Sequence, residues 1–135
     1  MTAACRQGQH EEMTRTPPYS DLIGTEYEVT TDDLYAYGVY ESLPGKAVSW
    51  VTLVPGAGIA GPEIAFRRHL RRGQPIKILS AWRASILLED GIYYRVAMPG
   101  ADVPDVPIRL ELAHGNEAAG ADLNPRVYRK VPGTK

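Results

Sequence analysis

Cysteine is all but missing: Cys5 is the single one in 135 residues. That excludes an intrachain disulfide and any metal site built on several thiolates. Long apolar runs are also lacking, and none approaches the ~20 residues a helix needs to cross a bilayer. Net charge is close to zero, −1 with a pI of about 6.3. A nucleic-acid partner wants a stronger basic excess, and none is expected. Three histidines, His10, His69 and His114, stand too far apart for ligand spacing, so no metal is assigned. No Gly-x-Ser-x-Gly elbow is present to present a nucleophile. The acid pairs Asp32–Asp33 and Asp102/Asp105 sit among turn formers and read as solvated turn residues. No catalytic residue and no cofactor is assigned.

Turn formers and tyrosine are plentiful instead. Thirteen Gly and eleven Pro favour short elements, and eight Tyr against one Phe suit strands with a half-wet face. Apolar content of 44% and charged content of 23% are those of one ordinary globular domain. Charge is unevenly spread: −6 over residues 1–45, +6 over 46–83, and −1 over 84–135. Either the acidic and basic blocks pair within the fold, or the basic block receives something anionic.

Residues 1–20 show no apolar periodicity and read as a flexible polar tether. A domain over 21–113 follows, and 114–135 reads as a polar tail with a weak edge strand near 126–131. Within the domain, alternation marks strands at 26–30, 34–42 and 48–54, with Tyr35 and Tyr37 on one face. Gly38 marks a bulge or bend. Further strands are expected at 75–82, 83–89, 92–98 and 108–112, with Asp90-Gly91 as a hairpin turn. Arg109 and Glu111 face out from the last of these.

The fold class turns on residues 63–72. Gly56-x-Gly58-x-x-Gly61 follows a strand directly, and such a loop holds a dinucleotide when a helix comes next. Here Ile64, Phe66 and Leu70 fall on even positions against Glu63, Ala65, Arg67 and His69, which is mainly the period of a strand, broken only by Arg68. The expectation is therefore an all-β domain, a single small barrel or sandwich of about seven or eight short antiparallel strands. A dinucleotide-binding enzyme using Gly56, Gly58 and Gly61 is the alternative from a different class.

Two resemblances add to this. Thr2-Ala3-Ala4-Cys5 followed by a polar tether resembles the processing site of a bacterial envelope lipoprotein, with Thr2 where Leu is usual. The resemblance implies a lipid on Cys5, a membrane anchor, and a periplasmic address on the outer membrane, against a cytoplasmic alternative. The segment from Leu70 to Trp82 and the hairpin after it resemble the small β-barrels of Src-homology type, without the Asn-Val-Arg-Ser-Gly run of their cell-wall-binding members. The function expected is a non-catalytic binding domain, such as an immunity or inhibitor protein facing a toxin, or an envelope-assembly accessory. Its partner would meet Arg67, Arg68, Arg71, Arg72, Tyr35 and Tyr37.

Overall fold

The computed structural model describes residues 10–40, 47–56, 61–86 and 89–132. Cys5, Gly58 and the turn expected at 43–46 lie outside them. The described chain is all-β, with nine strands: β1 (His10–Glu12), β2 (Glu26–Val29), β3 (Leu34–Tyr40), β4 (Val48–Pro55), β5 (Ile64–Leu70), β6 (Pro75–Ile86), β7 (Glu89–Ala97), β8 (Ile108–Glu111) and β9 (Tyr128–Lys130). A single 3-10 turn, Tyr19–Leu22, separates β1 from β2. Residues 63–72 thus hold a strand, as their period-two pattern predicts.

All nine strands join one sheet in the order β5-β3-β4-β8-β7-β6-β2-β9, with β1 on the far half of β6. The sheet curls but does not close into a barrel; β5 and β9 are its two ends. The curl is a matter of chain reach. β2 and β3 lie five places apart in the sheet, about 24 Å if it were flat. Only residues 30–33 join them, a link that spans at most about 17 Å. The same link explains the one departure from antiparallel pairing, β4 against β8 (Val51↔Ile108, Thr52↔Arg109). Being a bend and not a reversal, it leaves β2 and β3 running the same way. Five antiparallel joints between them would oppose them, so one joint has to be parallel.

At the bend, β2–β3 and β5–β6 form the two arms of a folded ribbon. Leu34 pairs with Leu70 in one arm and Tyr27 with Ile76 in the other, a slip of one residue. The corner is bonded through: the Gly73 N–H donates to Val29 O at 2.7 Å, and the Val29 N–H to Gln74 O at 3.1 Å. Gly73 has φ +92°, a conformation side chains disfavour. Arg72 clamps the corner, donating to Thr30 O at 2.8 Å and, in a fork, to both Asp32 oxygens at 3.2 and 3.0 Å. That hydrogen bonding, and then the guanidinium charge, hold the Asp32 carboxyl below its usual range. His69 Nε2 bonds the Asp32 carbonyl from the other arm.

The inner faces meet in one apolar core that includes Val29, Leu34, Leu53, Ile76, Tyr94 and Leu110. Gly38 sits where β3 is irregular, and the Phe66 ring lies across it; a Cβ there would stand 2.3 Å from the ring. The expected hairpin turn at Asp90-Gly91 is corrected. Both residues lie in β7, paired with Ser85 and Ala84, and the chain reverses between Ile86 and Glu89. β6 itself runs through the boundary expected at 82–83.

Both expected ends of the domain also shift. Residues 10–20 are not a tether: β1 pairs with β6, Met13 is buried, and its N–H reaches Ala81 O at 2.7 Å. Residues 114–131 are not a tail, because Ala121, Leu123, Val127 and Tyr128 belong to the core. Asn116, fully buried, ties this segment down. Its amide donates to Leu53 O at 2.7 Å, where β8 no longer pairs with β4, and its oxygen accepts from the Tyr128 hydroxyl at 2.6 Å. Burial pushes the Tyr128 hydroxyl pKa well above the usual tyrosine value.

Asn116→Ala leaves a carbonyl and a hydroxyl buried without partners. It should cost about 2–4 kcal/mol in urea unfolding, and Tyr128→Phe, which orphans only one acceptor, about 1–2 kcal/mol. A loss under 0.5 kcal/mol in both would show the segment to be peripheral.

Candidate functional site

The outer face of the sheet is where the polar chemistry gathers. Register aligns it in two cross-strand rows. One runs Arg67 (β5), Tyr37 (β3), Thr52 (β4), Arg109 (β8), Arg95 (β7) and Ser80 (β6). The other holds His69, Tyr35 and Val54 at one end and Glu111, Tyr93, Trp82 and Glu12 at the other. These positions face out because their neighbours, Ala36, Val51, Leu53, Leu110, Tyr94 and Ala81, face the core.

This face is not a plain solvated surface. Tyr37, Val54 and Tyr93 are buried on it, outside the inner core cluster. Arginine guanidinium groups lie over the rings. The Arg109 guanidinium stands 4.2 Å from the Trp50 ring centre and 4.5 Å from that of Tyr93. Arg95 covers Trp82 at 5.7 Å, and Arg67 covers Tyr35 at 5.2 Å. Each such stack contributes about 0.5–1 kcal/mol where exposed and more where dry. The Trp82 indole donates to Ser80 Oγ at 2.8 Å, which fixes its plane.

Two features run against stability. Arg95 and Arg109 are direct cross-strand neighbours of like charge. Thr52 Oγ1 is buried between Tyr37 and Arg109 in its row and has no hydrogen-bond partner among the described residues. Local conflicts of this kind concentrate at functional surfaces. Beside them, an irregularity between Ile78 and Ser80 turns Leu79 outward, leaving it 48% exposed. Leu79, Ser80, Arg95, Val106, Pro107 and Ile108 line an open cleft of about 420 Å³.

The residues singled out from sequence are dispersed. Tyr35 and Arg67 lie together on this face. Tyr37 shares the face but is fully buried, its hydroxyl donating to Gly56 O at 3.3 Å, so it supports the surface and offers nothing to a partner. Arg68 takes the opposite face of β5, over Phe66 at 4.5 Å and 3.7 Å from Asp102. Arg71 is exposed in the β5–β6 turn, and Arg72 is engaged by the corner. The uneven charge is partly paired within the fold, through Arg72–Asp32 and Arg83–Glu11 at 3.7 Å. Gly56 and Gly61 have φ of +80° and +150°, but β5 follows them, so among the described residues no helix N-terminus of the kind a dinucleotide site requires comes after the loop. Sequence reasoning missed Trp50, Trp82, Tyr93, Arg95 and Arg109 as a group. Alternation places each outward, yet nothing local says that they are neighbours.

His10 docks at one end of this cluster. Its Nδ1 is 2.9 Å from the Tyr93 hydroxyl, and the rings meet edge to face at 5.8 Å. Partial burial, then the charges of Arg109 and Arg95, hold its pKa below the usual 6.5. A depressed folded value means that proton uptake favours the form with β1 undocked, so this contribution to docking is present above pH 6.5 and is lost as pH falls through the folded pKa. NMR titration should therefore give a His10 midpoint under 6.5 that rises in Arg109→Gln. An unmoved midpoint would mean the two groups do not share a field.

No family model matches the chain, and no curated protein or solved structure is significantly similar to it.

Proposed function

We propose that this is a non-catalytic protein-interaction domain, held at a bacterial envelope membrane by a lipid on Cys5. Its partner, a toxin to be neutralised or a component of an envelope assembly, meets the outer sheet face. The observation that carries the reading is the makeup of that face. Trp50, Trp82, Tyr35, Arg67, Arg95 and Arg109 supply the three residue types that dominate protein–protein hot spots. Stacking holds the arginines in place before any partner arrives, which lowers the ordering cost of association. Leu79 and the cleft beside it, apolar along Val106 to Ile108 and polar at Arg95 and Asp105, supply a seat of the kind that anchors an interface. Glu12 and Glu111 sit among the arginines, and that mixture suits a protein surface better than a polyanion. Four residues, 6–9, separate Cys5 from β1, so a lipid there would hold the domain close against its membrane.

Tagged full-length protein, exposed to envelope extract, should capture a partner that Arg95→Ala/Arg109→Ala captures at least ~30-fold more weakly, about 2 kcal/mol. Arg126→Ala, on a distant exposed turn, should capture normally. Equal capture by the two variants, both with wild-type urea midpoints, would remove the face from the reading. For the anchor, mass spectrometry of the protein from its host should show a diacylated Cys5; a free thiol there ends the membrane address and leaves the interaction face standing.

A further inference from the structure

The two ends of the sheet are unlike. β9 is three residues long, and one of its two charges, Arg129, is drawn back onto Glu28. Short, blunted ends are the ordinary defence against unwanted pairing. β5 has seven residues and no proline, and it keeps regular register with β3 over five consecutive pairs, Leu34↔Leu70 to Gly38↔Phe66. No strand among the described residues pairs with its other edge. Charged side chains usually guard such an edge by projecting across it. Here Arg67 is stacked on Tyr35 and Arg68 on Phe66, so both guanidinium groups lie along the sheet faces, with Asp102 of the loop after β7 3.7 Å from Arg68.

We infer that β5 receives an acidic, extended segment of the partner as an added strand; this rests on the protein-interaction reading above. Main-chain groups of β5 supply affinity, and its side chains supply selection. A residue opposite Arg67 shares the outer face, and the next residue, opposite Arg68, shares the inner one. Of two consecutive acids, one meets Arg67 and the next meets Arg68 in place of its exposed neighbour Asp102, while a neighbouring apolar residue reaches Phe66. Arg71, exposed just past the strand, extends the positive field. A second copy of the chain is a poor occupant. Two β5 strands paired antiparallel about their charged centre would set Arg67 or Arg68 opposite an arginine of the other copy, and like charges placed together cost several kcal/mol.

The probes are two capped octapeptides, Thr-Val-Glu-Glu-Val-Thr-Val-Thr and the same sequence with Lys for Glu, titrated into isotope-labelled full-length protein. The acidic peptide should shift the amides of Ile64–Leu70 and slow their hydrogen exchange, and the basic one should not. Arg67→Glu/Arg68→Glu should reverse the preference, each peptide changing affinity at least tenfold. Because the reversal gains binding for one peptide, a misfolded variant cannot imitate it. Equal binding of both peptides, protection outside β5, or β5 already protected in a dimer of the free protein would each overturn the inference. If envelope capture is still lost in Arg95→Ala/Arg109→Ala while the acidic peptide leaves β5 untouched, the interaction face stands and strand addition falls.

Discussion

Residues 30–33 are too short to cross the sheet, and most of the architecture follows from that. β2 and β3 have to be brought together, so the strands between them curl around one core. Because the link bends without reversing, one pair in the sheet has to be parallel, and β8 takes that place beside β4. The corner needs donors for the carbonyls that neither arm satisfies. Arg72, His69 and the Gly73 amide supply them from the facing arm. The guanidinium is suited to this task because its planar fork meets the Asp32 carboxylate and the Thr30 carbonyl at once.

A sheet curled around its core presents a convex outer face, where side chains splay apart. Apolar groups on such a face are hard to bury without a second layer. Here the second layer is made of long side chains, arginine over ring, across Trp50, Tyr93, Trp82 and Tyr35. Tyr37 and Val54 are buried on the same face, and Arg67, Arg95 and Arg109 keep part of their surface accessible. The same side chains therefore act as cover for the fold and as contact surface. Lysine would serve neither purpose as well, since a hydrated ammonium neither stacks nor stays in plane.

Much of this was legible in the sequence. The alternation of Ile64, Phe66 and Leu70 gave β5, and that of Ile108, Leu110 and Leu112 put Arg109 and Glu111 outside. Gly38 marked an irregular place, and the Phe66 ring is the reason it has to be glycine. Tyr93 and Tyr94 take opposite faces, as adjacent strand residues must. What failed was non-local. Asn116 lies among small and polar residues with no period, so its role as a mock strand beside Leu53 left no local trace. Asp90-Gly91 carries strong turn chemistry, yet pairing along β6 and β7 sets where the chain reverses. The outer-face cluster needs the registers of six strands, and a periodic pattern fixes only which way each residue points.

Edge and face become one surface once register is considered. Both outer rows begin on β5, at Arg67 and His69, and run inward through Tyr37 and Tyr35. A strand added beyond β5 would lengthen each row by one residue, so a partner seated there is also aligned along the face. Its body would then lie over the stacked arginines with its orientation already set, and the cost of rotational freedom would fall on the first contact alone. A partner reaching the face without the edge would have to meet that cost through side chains on a convex surface. The geometry thus favours an order of events in which main-chain pairing comes first and the aromatic face then selects among the segments that pair.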